Sequence, residues 1–248
     1  YTQAAMLAAE VCVLEAVKKT GAECAITGGL SLGEYAALVA CGAMEFTDAM
    51  RVVRKRGMYM ESTVPAGKGG MSAIIGLGAD VVEGACREAS QETGLCVVPA
   101  NYNCPGQIVV SGDKAAVDAA GELCKAAGAK LVAPLNVSGP FHSPLLVPAG
   151  EKLAETLSGV KFGAPKIPYV CNVSAEKVTD PSLISDLLVR QVYSPVRWEQ
   201  SVRVMLDDGV EEFVEIGPGK TLAGFMKRID RAIPVVTVGG AGDLEKLA

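Results

Sequence analysis

Three features of this sequence could do chemistry together: a serine between glycines, a single histidine, and an arginine among apolar residues. Gly29-Leu30-Ser31-Leu32-Gly33 fits G-x-S-x-G, the nucleophile-elbow pattern, in which glycines let a tight strand-to-helix turn hold a serine hydroxyl clear of the backbone. The N–H of Leu32 and the positive end of the following helix would face any negative oxygen formed when Ser31 attacks a carbonyl. The plainer alternative is a glycine-rich turn with a capping serine. A serine needs a base to take its proton, and near neutral pH that base is usually histidine. His142 is the only one in the chain. It lies in Gly139-Pro140-Phe141-His142-Ser143-Pro144, a turn after a strand, where positioned side chains are common. A lone loop histidine is otherwise a surface residue; the elbow serine in the same chain favours the general base.

Arg56 is the third feature. At about 100° per residue, Ala49, Val52, Val53, Arg56 and Met60 share one helix face, while Arg51, Arg54 and Lys55 point away. A buried arginine must find an anion. Either an internal Asp or Glu supplies it, or the guanidinium clamps a substrate carboxylate through two parallel hydrogen bonds. The spacing leaves both open.

These residues need elements to hold them. Apolar periodicity predicts a helix over 2–19, a short strand over 24–27 ending at Gly28 and Gly29, and helices over 32–41 and 47–61. Pro65, Gly67, Gly69 and Gly70 mark a boundary. Residues 71–137 then read strand, helix, two strands around Cys104-Pro105-Gly106, helix and strand. That β-α-β-β-α-β order is ferredoxin-like and suggests an inserted subdomain over 67–134. Residues 1–66 and 135–248 would form the large domain. Beyond 144 the pattern predicts helices over 145–157, 181–191, 201–207 and 221–229, with strands over 167–172, 212–216 and near Val235. Strands alternating with helices argue for an α/β fold with a mostly parallel sheet covered on both faces.

Composition excludes other classes. Of the 248 residues, 50% are hydrophobic and 21% charged, the balance of a compact folded chain. A net charge of −5, with no basic run carrying interleaved aromatics, argues against nucleic acid. The eight cysteines form no C-x-x-C pair and read as reduced core residues, so neither a metal site nor a cofactor is expected. Apolar runs such as 36–44 are too short to cross a bilayer, and with no signal peptide the expected setting is cytoplasmic, with a monomeric chain. Gly219-Lys220-Thr221 lacks the P-loop glycine, since Val214 stands there. Gly76-Leu77-Gly78 lacks the third glycine of a dinucleotide loop.

Gly29-Leu30-Ser31-Leu32-Gly33-Glu34-Tyr35-Ala36, Arg56, Gly139-Pro140-Phe141-His142-Ser143 and Gly217-Pro218-Gly219-Lys220 together resemble the malonyl-CoA:acyl carrier protein transacylases of bacterial fatty acid synthesis. The likeness runs nearly end to end, including 101–107 and 189–196. It implies an α/β-hydrolase-like domain with a ferredoxin-like insert, and malonyl-CoA and acyl carrier protein as partners. By resemblance, Ser31 is the acylated nucleophile, His142 its base, and the backbone carbonyl of Gln191 the group that orients His142. Arg56 grips the malonyl carboxylate, with Met60 and Phe141 beside the substrate and Asn103 and Gln107 along the cleft near coenzyme A.

Two departures stand out. Leu30 replaces the family's usual histidine before the serine. The family's first strand and its G-Q-G-x-Q loop, source of one of two oxyanion-hole N–H groups, have no counterpart before Tyr1. Losing one such donor costs about 10²–10³ in rate, so the expectation is a folded chain of reduced activity. The rival functions are a serine hydrolase or thioesterase, with an acidic residue between Ser and His in chain order, and a weakly active module that binds the carrier protein.

Overall fold

Leu7, Val11 and Val17 bury one side of the first helix, α1 (Thr2–Lys18), in the computed structural model, which describes residues 1–247. A two-residue strand, β1 (Thr27–Gly28), then leads into α2 (Gly33–Ala40) and α3 (Phe46–Ser62). Ser31 stands between strand and helix, as the motif requires. α3 buries Ala49, Val52, Val53, Arg56 and Met60, the face read from the sequence.

The next six elements are β2 (Gly69–Ile75), α4 (Ala79–Thr93), β3 (Val97–Cys104), β4 (Gln107–Asp113), α5 (Lys114–Ala126) and β5 (Leu131–Pro134). Their strands form an antiparallel sheet in the order β3-β4-β2-β5, which is the ferredoxin-like arrangement. Val82, Cys86 and Ala89 of α4 and Val117, Ala120 and Cys124 of α5 pack with Ile74, Ile108 and Val110 of the strands. β5 ends at Pro134, and one further bond, from Leu135 N–H to the Met71 carbonyl at 2.9 Å, follows it. The segment expected to extend it to Val137 is instead exposed chain.

The remaining elements are α6 (Val147–Leu157), β6 (Tyr169–Val170), β7 (Lys177–Val178), α7 (Ile184–Gln191), α8 (Trp198–Asp207), β8 (Phe213–Ile216), α9 (Thr221–Ile229) and β9 (Val235–Val238). β1 pairs with β6 in parallel, Thr27 opposite Tyr169 and Gly28 opposite Val170. β8 and β9 also pair in parallel. The single parallel sheet expected from the sequence is thus divided among the described residues into β1-β6-β7 and β8-β9, with β7 antiparallel. At two residues each, β1 and β6 are too short to show an apolar alternation, and β7 gave no sequence signal. α8 begins at Trp198 rather than Ser201 because Trp198 and Val202 join a core with Val196 and Met226.

Two backbone bonds stitch the antiparallel sheet to the rest of the chain: Tyr102 N–H to the Val196 carbonyl at 2.9 Å and Val196 N–H to the Ala100 carbonyl at 2.8 Å. Five cysteines are buried, but Cys12 and Cys24 are exposed and Cys96 is half-buried, so not all eight belong to the core. No helix among the described residues is long and apolar enough to cross a membrane.

Candidate active site

Ser31 has φ of 54°, in the left-handed region, as does His142 at 60°. Such backbone costs of order 1–3 kcal/mol for a non-glycine residue, so surrounding bonds must hold it. Gly29 permits the turn, because a Cβ there would lie 2.0 Å from the Gly33 carbonyl oxygen. The turn delivers Ser31 Oγ to within 2.7 Å of His142 Nε2. His142 Nδ1 lies 2.8 Å from the Gln191 carbonyl oxygen. A carbonyl can only accept, so the ring proton is on Nδ1, and Nε2 presents a lone pair to the serine hydroxyl. Burial, then the nearby Arg56 charge, pushes the His142 pKa from 6.5 down to about 4, against hydrogen bonds to the Gln191 and Ser194 backbone. The imidazole is neutral at physiological pH, with the Nε2 lone pair available to accept a proton.

Arg56 is 1% exposed. Its Nη1 donates to Gln3 Oε1 at 2.6 Å, and its Nη2 donates to both Ser31 Oγ at 3.0 Å and Gln191 Oε1 at 2.9 Å. It forms no ion pair with a carboxylate among the described residues, so the internal-pair alternative is not what the fold adopts. The nearest compensation is indirect. Gln191 Nε2 donates to Glu34 Oε2 at 2.8 Å and to the Ser31 carbonyl, also at 2.8 Å. An amide therefore stands between cation and carboxyl. Glu34 is fully buried, and burial raises its pKa from 4.5 to about 7 despite the Gln191 and Asn172 hydrogen bonds and the Arg56 charge.

Asn172 completes the frame. Its Oδ1 accepts the Ser31 N–H at 2.6 Å, and its Nδ2 donates to the Gly29 carbonyl at 2.8 Å. With the Ser31 N–H engaged by Asn172, the Leu32 N–H at the start of α2 has no acceptor among the described residues. An oxyanion formed at Ser31 would find it there.

A cavity of about 270 Å³ opens over these groups, lined by Gln3, Leu30, Ser31, Leu32, Arg56, Met60, Met71, Asn101, Leu135, Val137, Phe141 and His142. The structure thus brings Ser31, Leu32, Arg56, Met60, Phe141 and His142 together, with Gln191 behind them. It does not bring Asn103 or Gln107 to this cavity. Asn103 is two residues nearer the β3–β4 turn, about 7 Å along the strand, and Gln107 Oε1 accepts from Arg228 Nη1 at 3.3 Å. Asn101 lines the cavity instead. Leu30 packs on the Val196–Trp198 core while lining the opening.

Sequence reasoning missed Glu34, Asn172, Gln3 and Asn101. Glu34 carried a usable signal: it is the one charged residue in the apolar run 32–41, and a buried carboxyl needs donors.

The chain is similar to known proteins over nearly its whole length. An acyl transferase domain model matches residues 1–241. The malonyl CoA-acyl carrier protein transacylase of Bacillus subtilis is 45% identical over 243 residues, covering 98% of this chain and 76% of that protein. The crystal structure of an acyl carrier protein S-malonyltransferase from Vibrio cholerae superposes with a TM-score of 0.96 at 46% identity, over 100% of this chain and 80% of that one. A malonyl-transacylase solved in complex with its type II PKS acyl-carrier protein superposes with a TM-score of 0.95 at 43% identity, over 99% and 79% of the two chains. A serine on a strained elbow, a neutral histidine held by a backbone carbonyl and a match over nearly the whole length leave one assignment: the chain belongs to the acyl transferase domain family, among the malonyl CoA-acyl carrier protein transacylases.

Proposed function

We propose that this protein transfers a malonyl group from malonyl-CoA to the phosphopantetheine thiol of an acyl carrier protein, in the cytoplasm, supplying fatty acid synthesis. Ser31 Oγ gives its proton to His142 Nε2 and attacks the thioester carbonyl. The negative oxygen faces the Leu32 N–H. The carbon–sulfur bond then breaks, and the departing coenzyme A sulfur takes the proton from Nε2, leaving malonyl-Ser31. In the second half the carrier thiol gives its proton to Nε2 and attacks the ester, and Ser31 Oγ leaves with that proton.

The observation that carries this reading is Arg56. A buried guanidinium that touches Ser31 Oγ and has no carboxylate partner among the described residues suits an acyl group that brings its own carboxylate. A hydrolase needs no such cation, and its histidine would be held by an acidic residue. Here the Nδ1 acceptor is the Gln191 carbonyl, beyond His142 in chain order. In this reading residues 67–134 form the inserted subdomain and supply one wall of the cleft, against residues 1–66 and 135–248. The eight free thiols support a reducing compartment.

The test is intact-mass and peptide mass spectrometry after mixing with malonyl-CoA or acetyl-CoA. The expected result is an ester on Ser31 from malonyl-CoA that is discharged by holo acyl carrier protein, with far less from acetyl-CoA. Acylation persisting in Ser31→Ala would remove the nucleophile assignment.

A further inference from the structure

The β1–β6 ladder ends early. Thr27 faces Tyr169 and Gly28 faces Val170, so the same register would set Leu30 opposite Asn172. In a parallel ladder a residue donates to the carbonyl before its opposite number and accepts from the N–H after it. Asn172 does this with its side chain: Nδ2 donates to the Gly29 carbonyl and Oδ1 accepts from the Ser31 N–H. Its main-chain groups are engaged elsewhere, the N–H donating to Glu34 Oε2 at 3.1 Å and the carbonyl accepting from Arg197 N–H at 3.0 Å. Every polar atom of this fully buried residue is used.

We propose that Asn172 is the positioning residue for Ser31: its amide supplies the ladder rung the backbone omits opposite Leu30, and so fixes the left-handed turn that aims Oγ at His142. Three observations converge on this. Asn172 bonds to the chain on both sides of Leu30, one bond preceding and one reaching the strained residue. Its own main chain is pinned by Glu34, one helical turn beyond Ser31, so clamp and turn form a closed loop. The Ser31 carbonyl is held separately by Gln191 Nε2, which leaves the Ser31 N–H to Asn172 alone. The inference rests on reading Ser31 as the nucleophile.

The test is the rate at which phenylmethanesulfonyl fluoride labels Ser31 in the full chain, in N172A and in N172D, with melting temperatures recorded alongside. In that reaction Ser31 Oγ bonds to sulfur, fluoride leaves and His142 receives the proton. The probe carries neither carboxylate nor coenzyme A, so it reports the Ser31–His142 pair whatever acyl group is natural. N172A is expected to label roughly 100-fold more slowly, the scale of a 1 Å misplacement, while malonyl-CoA binds N172A/S31A as tightly as S31A. N172D keeps the acceptor for the Ser31 N–H but loses the donor to Gly29 while ionised. Protonation restores an O–H donor, so the labelling rate of N172D relative to the parent is expected to rise as pH is lowered. A purely structural role would not produce that trend. N172A labelled as fast as the parent overturns the proposal. Should N172A fail to fold, a pH-independent ratio for N172D overturns it. If the parent labels normally but forms no malonyl ester, only the malonyl reading falls.

Discussion

The Nη2 of Arg56 sits 3.0 Å from the Oγ of Ser31, so the cation meets the nucleophile before any substrate is bound. Two consequences follow from this contact. The guanidinium favours negative charge on the serine oxygen, and under the proposed malonyl reading it would hold an incoming carboxylate beside the hydroxyl.

Arg56→Ala is expected to lower kcat/KM for malonyl-CoA by roughly 10- to 100-fold, since hydrogen bonds to charged groups contribute about 1.5–3 kcal/mol. The value for acetyl-CoA should change far less, so the preference between the two collapses. Competition kinetics with both thioesters measures the ratio. A preference that survives the substitution removes Arg56 from the substrate site. Melting temperature should also fall, because Gln3 and Gln191 lose their donor.

The pH dependence of Ser31 acylation follows from His142, which is held at about 4 rather than 6.5. Above about 4 the folded imidazole is neutral and can accept the proton, so the rate should stay level on acidification through 6.5 and drop only as pH nears 4. Stability behaves differently. Above 6.5 the histidine is neutral in both states and has no effect. Between 6.5 and about 4 the unfolded chain takes up a proton that the native site refuses, so this residue favours unfolding increasingly as pH falls. Sulfonyl fluoride labelling rates and urea unfolding, each across pH, separate the two effects. A rate that halves near 6.5 contradicts the site as described.

Glu34 acts in the opposite direction. Its carboxyl titrates at about 7 in the fold against 4.5 ordinarily, so between those values the native state keeps a proton the unfolded chain has lost. Raising pH across that window therefore costs stability. Glu34→Gln can still offer an acceptor oxygen to Asn172 N–H and Gln191 Nε2 but does not titrate. The stability of the variant relative to the parent should climb as pH rises from 4.5 to 7, measured by urea unfolding at a series of pH values. A constant difference would show that Glu34 does not titrate there.

The two glycines of the elbow should separate cleanly. A Cβ on Gly29 would strike the Gly33 main chain at 2.0 Å and the Glu34 nitrogen at 2.7 Å, whereas nothing lies within 4 Å of one on Gly33. Gly29→Ala is expected to abolish labelling of Ser31 and lower the melting temperature. Gly33→Ala, at the first position of α2, should leave both intact or stabilise the protein by up to about 1 kcal/mol through helix propensity. Equal effects from the two would contradict this packing.

Much of the site was legible because its members carry local signals. Ser31 has flanking glycines, His142 is unique in the chain, and Arg56 falls on the buried face of a strongly periodic helix. The supporting frame was not. Asn172 and Glu34 are defined by bonds to partners 141 and 138 positions away, and no spacing rule reports such distances. Resemblance put Asn103 along the cleft near coenzyme A, whereas Asn101 is the asparagine that lines the cavity beside Ser31. The β3–β4 register shifts between Pro99 and Asn101 and again between Tyr102 and Cys104, irregularities that no local pattern in the strand reports. The divided sheet escaped notice because strands of two residues carry no alternation to read.

The pair of backbone bonds joining Ala100 and Tyr102 to Val196 has a mechanical meaning. Met71 and Asn101 form one side of the cavity, while Ser31, Arg56 and His142 form the other. Drawing those two sides apart along this seam would cost both hydrogen bonds. Empty and acylated enzyme are therefore expected to keep this seam closed and to differ by side-chain rotations within the cavity.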